Sequence, residues 1–489
     1  MIACRNLRRL AALVLASAAL AAHAGGPLNV CNSQALKYAG TGTVNLNYDG
    51  GGTLGTLSKA QADSLVGTAV ALWTNVGTST VVLGKGSDLP VDVTVANYAT
   101  YFDNYSDGLN PVIYDTDGSI VDQLLGVGAK GSVLGFAGSA YFGAPTCQYA
   151  EGQAVISGYL LTTGSVTTGI MSNVITHEIG HLVGLDHTQL DSSQGLASSN
   201  YPMMYPVAYR STQTLHEDDV AAISALYPDA TLGTVYGQLS GSFTKADGVT
   251  AVLGANLWAQ ETTTGKVYSI VSDYLKQGTG FWKLLLPAGT YTLHAEAIDS
   301  TFNGGSSVGP YSESYPGTFP TDASFQAPLY SGGTPMAPVT LGGASPVQFV
   351  ISAGCAATST FRIDGSGAVT GNCSLKSTPT IALGSSVNPS AVGQAVTFTA
   401  NLGGSSGAPT GTVAFLDGAT TLCAAAALSG GTATCSTSAL ASGSHSITAS
   451  YGGSASYNPV VSSAVSQVVN LSTPNVALVS SANPSVSGQ

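Results

Sequence analysis

Residues 172–189 read SNVITHEIGHLVGLDHTQ and hold three of the chain's seven histidines within eleven positions. On a helix, His177 and His181 stand one turn apart and face the same way, so both imidazoles can reach one ion. Glu178 lies one residue past the first histidine, turned by about 100°, where its carboxylate can address a water held by that ion. Gly184 tolerates the positive φ that would end the helix and turn the chain. Such a turn brings His187 back as a third nitrogen donor. Three imidazoles plus one water make the four-coordinate, open arrangement of catalytic zinc. Three unrelated surface histidines have no reason to keep this spacing around a glutamate and a glycine. The stretch predicts a helix ending in a tight turn, with His177, His181 and His187 as metal ligands and Glu178 as general base.

The string HEIGHLVGLDH at 177–187 resembles the signature of the metzincin metallopeptidases. NYPMMYP at 200–206 resembles that family's methionine turn. In the matrixin branch the turn reads Met-Tyr-Pro, which matches Met204, Tyr205 and Pro206. HEDDVAAISALYP at 216–228 resembles the acidic-start helix closing the matrixin domain, and AQADSLVGTAVALWTNV at 60–76 resembles its first helix. The resemblance implies a mixed α/β peptidase domain with an active-site helix, zinc as cofactor on the three histidines, Glu178 as base and a protein or peptide substrate. Met204 would support the site from below without touching the ion. If Met203 were the turn residue instead, Tyr205 would sit where the astacin and serralysin branches place a tyrosine near the zinc; Pro206 and the acidic helix favour the matrixin register. Two departures stand out. The structural zinc of vertebrate-type matrixins needs three further histidines, and of His216, His294 and His445 only the first falls in this domain. Cys31 also lacks the propeptide Pro-Arg-Cys-Gly pattern, so latency would need another device.

Asp115, Asp117 and Asp122 in YDTDGSIVDQ invite a calcium reading, because oxygen donors at alternate loop positions suit a hard cation. A solvated acidic turn accounts for them equally well. Two other functions compete with the peptidase. A surface or adhesion protein is one, since more than half of the chain reads as β-modules without visible chemistry. A zinc hydrolase acting on a non-peptide bond is the other. The intact Glu178 favours an enzyme, because a structural zinc would want a fourth protein ligand and no base.

Charged residues make up 8% of the chain, and the formal charge is -12 with only 14 Lys and Arg among 489 residues. Nucleic-acid affinity comes largely from such cations, so nucleic acid is excluded as an expected partner. Nothing points to an obligate oligomer. Residues 1–24 place Arg5, Arg8 and Arg9 before an apolar run, Leu10–Ala22, and a small-residue site ending at Ala24. This is the layout of a cleaved secretory signal, with an apolar run short of the roughly 20 residues that span a bilayer. It predicts a secreted, extracellular protein. Six cysteines remain after it, and their spacing favours Cys355–Cys373 and Cys423–Cys435 as local bridges, with Cys31–Cys147 closing a large loop.

Helical spacing opens at Ser58, and Val-rich runs at TVVLG and LPVDVTVAN read as strands. Residues 25–231 are expected to form the α/β domain and to fold without the rest. From 232 to 376 the apolar/polar alternation between Gly and Pro turns resembles the carboxypeptidase-regulatory-like β-sandwich found on secreted bacterial enzymes. A Tyr/Pro/Ser-rich insertion interrupts it. STPTIALGSSVNPSAVGQ at 377–394 returns as STPNVALVSSANPSVSGQ at 472–489. One unit, 377–471, resembles bacterial immunoglobulin-like repeats, and 472–489 would begin a second, truncated copy. Cell-surface or polymer binding would belong to these modules, and surface retention to residues beyond 489. The expected class is therefore multidomain: an α/β metzincin-type domain followed by all-β sandwich modules.

Overall fold

The computed structural model describes residues 24–40, 42–105, 107–297, 330–331, 334–335, 338–371, 373, 376–404, 407–454, 456–471, 476–481 and 483–488. The expected signal segment before Ala24 and the body of the Tyr/Pro/Ser-rich insertion lie outside the described residues. The chain divides into two compact units, 1–373 and 374–489.

The first unit begins with strand β1 (Ala24–Pro27), β2 (Val44–Tyr48), helix α1 (Lys59–Thr74), β3 (Leu83–Lys85), β4 (Pro111–Asp115) and α2 (Ser119–Leu125). It continues through β5 (Gly135–Phe142), β6 (Gln148–Ser157), α3 (Thr168–Leu182), β7 (Leu185–His187) and α4 (Glu217–Leu226). The main sheet has the order β3-β2-β4-β6-β5. Its strands run parallel except β5, which lies antiparallel to β6 at the edge. Strand alternation divides the apolar residues between two faces. Val112, Tyr114, Ala154 and Ile156 join Trp73, Ile175 and Ile179 under α1 and α3. Ile113 and Val155 join Ile120 and Val121 on the other face. Each such side chain withdrawn from water contributes roughly 1.5–3 kcal/mol.

Ser58 caps α1 as its sequence suggests, in a reciprocal capping box with Gln61. Two expectations fail nearby. LPVDVTVAN forms no strand; side-chain and loop contacts hold it, with Val93 donating its N–H to Asp49 Oδ1 at 3.1 Å and Val91 accepting from Gly50. The acidic turn read in YDTDGSIVDQ runs on from Ser119 as the helix α2.

Residues beyond α4 form two sheets around Trp282, Leu239, Leu257, Tyr291 and Phe361. The strands used below are β8 (Tyr236–Ser242), β9 (Ala255–Glu261), β10 (Val267–Val271), β11 (Phe281–Pro287) and β12 (Gly289–Ala297). Strands β8 and β11 pair in one sheet, and β10-β9-β12 run consecutively in the other. Ala221 of α4 lies in this second core, so no solvent gap follows the first domain. Disulfides join Cys31 to Cys147 and Cys355 to Cys373, the pairing that spacing favoured.

The second unit is a sandwich in its own right. A three-stranded sheet (380–385, 396–403, 432–437) and a larger one centred on Gly443–Tyr451 share a core of Phe398, Phe415, Ile447 and Tyr451. Cys423 and Cys435 are bridged within it. The described residues from 476 onward carry no strand.

Candidate metal centre

Helix α3 is enclosed along most of its length. Thr167 caps its start by accepting from the Ile170 N–H at 3.3 Å. Trp73 of α1 donates Nε1–H to the Thr176 carbonyl at 2.9 Å, which ties the middle of the helix to its neighbour. The helix ends at Val183, and Gly184 follows with φ +98°. A Cβ there would meet the Tyr149 ring at 2.6 Å, so the turn needs glycine for both conformation and space. The chain then reverses into β7, which pairs antiparallel with β1 and puts Ala24 opposite His187.

This path brings the three histidines together. Their Nε2 atoms lie 3.0 Å (177–181), 3.2 Å (181–187) and 2.8 Å (177–187) apart. Tetrahedral zinc with nitrogens at about 2.0–2.1 Å sets ligand atoms roughly 3.3 Å apart, so the spacing fits one ion. In two of the rings the other nitrogen fixes the tautomer. His177 Nδ1 donates to the Met203 carbonyl at 2.7 Å and His181 Nδ1 to the Leu185 carbonyl at 2.8 Å. Each ring therefore turns the lone pair of Nε2 toward the shared point. Converging lone pairs repel one another unless a cation sits among them. Burial pushes the His177 pKa down to about 4, keeping the neutral form a metal requires.

Glu178 is buried beside the triad, and its Oε2 makes no hydrogen bond among the described residues. Burial pushes its carboxyl up to about 8; a divalent cation nearby would lower it again. Strand β5 passes so close that a Cβ at Gly135 would meet Glu178 Cγ at 3.0 Å and Oε1 at 3.1 Å. Nothing in the sequence pattern marked Gly135.

Met204 lies directly under the helix, since a Cβ on Gly180 would meet its Sδ at 2.4 Å. The turn is pinned from α4: Asp219 accepts the N–H groups of Met203 (2.7 Å), Met204 (3.0 Å) and His216 (2.7 Å). The acidic start of that helix was legible, though not its use as a clamp. Tyr205 packs with Tyr201 at 4.6 Å between ring centroids and, with Val271 of β10, forms a small cluster.

The three aspartates of the calcium reading do not converge. Asp115 Oδ2 accepts the Val121 N–H at 2.8 Å and Asp117 Oδ1 that of Ser119 at 3.0 Å. Asp122 accepts from Gly128 and Lys130 and faces Lys130 Nζ at 3.4 Å. They cap α2 and hold the turn after it. Among the described residues, the histidine triad alone gathers three donors around one point.

Residues 129–228 match the family model for matrixin. They form a matrixin-type peptidase domain. Residues 383–470 match the bacterial Ig-like domain, group 3. With its histidines at metzincin spacing, the matrixin-type domain makes this chain a zinc metalloendopeptidase. No curated protein matches the chain. The major pilin subunit BcpA of Bacillus cereus aligns at 11% identity over 48% of this chain and 69% of that one, with a TM-score of 0.13. Bacteroides uniformis β-glucuronidase 3 aligns at 9% over 54% and 29%, also at 0.13. Scores this low carry no argument about the matrixin-type domain or the modules behind it.

Proposed function

We propose that the chain is a secreted zinc-dependent endopeptidase whose residues 25–231 form the peptidase domain. His177, His181 and His187 hold the metal, and Glu178 is the general base. The convergence of three Nε2 atoms beside a buried, unengaged carboxylate carries this reading. Bound zinc would polarise the scissile carbonyl and acidify a water. Glu178 takes that water's proton and delivers it to the leaving amine. The Met203 and Leu185 carbonyls keep His177 and His181 in the ligating tautomer. Met204 is the turn methionine, because it lies against Gly180 while Tyr205 packs into the cluster with Val271.

The substrate lies extended along the free edge of β5, a case of strand addition. The loop 195–206 walls the leaving-group side. It is neutral, and Arg210 beyond it turns inward to donate to the Tyr201 carbonyl at 2.8 Å. An uncharged aliphatic or aromatic residue just after the cleaved bond is therefore preferred. The modules 232–376 and 377–471 follow the catalytic part, with 472–489 opening a further repeat. Attachment to a cell surface or polymer falls to these β-modules.

Elemental analysis of the purified chain should give one zinc, and Glu178→Gln should abolish peptide hydrolysis while keeping it. Loss of the metal from that variant, or retained hydrolysis, would overturn the assignment of roles.

A further inference from the structure

The residue after the third histidine begins a loop, 188–205, whose only regular pieces are two short turns, Ser192–Gln194 and Ser198–Asn200. The loop itself belongs to no long helix or sheet. Some of its anchors are local: Thr188 N–H to the Met204 carbonyl at 3.1 Å and Ser192 N–H to the Tyr201 hydroxyl at 3.2 Å. Others come from the sandwich. Glu296 of β12 accepts with one oxygen from Gln189 Nε2 (3.3 Å), Gln194 Nε2 (2.7 Å) and Asn256 Nδ2 (2.9 Å). Gln189 also donates to the Ala297 carbonyl at 3.2 Å. The hydroxyls of Thr188 and Ser269 share a hydrogen bond at 2.9 Å. Leu190 packs against Trp258 and Val267.

A second line of contact reaches the turn beneath the histidines. The Ser269 N–H donates to Asp218 Oδ1 at 2.7 Å. The next residue, Asp219, is the clamp on Met203 and Met204. All these groups are buried. A buried carboxylate serving three amide donors cannot be removed without leaving those donors unmet.

We propose that the sandwich of residues 232–373 is a positioning element of the peptidase, holding the 188–205 wall through Glu296 and Ser269 and so setting how the substrate residue after the scissile bond is gripped. Glu296 acts through Gln189 and Gln194 and touches no substrate. This rests on the peptidase reading above.

The test uses the full chain with Glu296→Ala and Glu296→Gln beside the native protein. Hydrogen exchange is followed in the zinc-free protein, and KM and kcat on peptides differing at the residue after the bond. Glu296→Ala should speed exchange across 188–205 at least tenfold while α3 keeps its protection. It should raise KM at least fivefold with kcat within twofold, and flatten the residue preference. Glu296→Gln, which keeps a carbonyl acceptor, should restore all three to within about twofold. If the alanine variant does not fold, Gln194→Ala removes one neutral amide from the loop side and should raise both loop exchange and KM about threefold. Unchanged exchange and KM in a folded variant would overturn the proposal, as would a uniform loss in which α3 exchange and kcat move with the loop. A native chain that binds zinc but cuts no peptide would instead fail the peptidase reading, and loop exchange would still decide the positioning claim.

Discussion

At Gly135 a single hydrogen decides how much room the Glu178 carboxylate has. A methyl group there would press on Glu178 Cγ and Oε1 at 3.0–3.1 Å and on the Val155 carbonyl at 3.1 Å. The glutamate side chain yields more readily than the paired backbone of β5 and β6. A displacement of a few tenths of an ångström at a proton-transfer group is costly, since an error near 1 Å can lose about a hundredfold. Gly135→Ala should therefore lower kcat roughly tenfold while zinc content, measured by elemental analysis, stays at one per chain. The triad itself was legible from eleven consecutive residues, because its geometry is set by one helix and one turn. Gly135 was not, because it meets Glu178 only after β5 has folded against α3.

Between the helix and β7, the turn at Gly184 is the element on which His187 depends. Gly184→Ala would combine φ +98° with a 2.6 Å approach to Tyr149. Strain of about 1–3 kcal/mol is typical for a residue forced into such a conformation. Relief would move β7 and His187 with it. A chelator competition assay should show zinc held at least tenfold more weakly, with α-helical circular dichroism retained. Elements with complete local signals are legible in the sequence: α1 has its Ser58 cap and helical spacing, and α3 its histidines one turn apart and its glycine stop. LPVDVTVAN misleads because alternating valines describe any extended chain with one buried side. Here the backbone of Val93 is taken by Asp49 rather than by a neighbouring strand. YDTDGSIVDQ misleads because a seven-residue helix started by a left-handed glycine looks like an acidic turn from composition alone.

For the molecule as a whole, the junction between the matrixin-type domain and the sandwich stores a dependence on pH. Burial, reinforced by Asp191, pushes Glu296 up to about 7, against the opposing pull of its amide donors. A carboxyl whose pKa rises on folding binds its proton more tightly in the native state. Its contribution is therefore complete below the ordinary carboxylate range and is lost as pH climbs from about 4.5 to about 7. A tenfold change in proton affinity corresponds to about 1.4 kcal/mol, which bounds this contribution at roughly 3 kcal/mol. Glu296→Gln removes the titration, so its Tm relative to the native chain should rise across that interval and level off above it. Parallel Tm curves from pH 4.5 to 7.5 would show that Glu296 does not titrate there. This junction was invisible in the sequence, because Glu296 stands 102 residues from Gln194 and neither has a motif. The edge of β5 has a different consequence. A chain that must lie along it as an added strand has first to leave its own helices and sheets over several residues. Compact proteins would then be cut at the pace of their own local opening, and the peptidase would sort its targets by how readily they come undone.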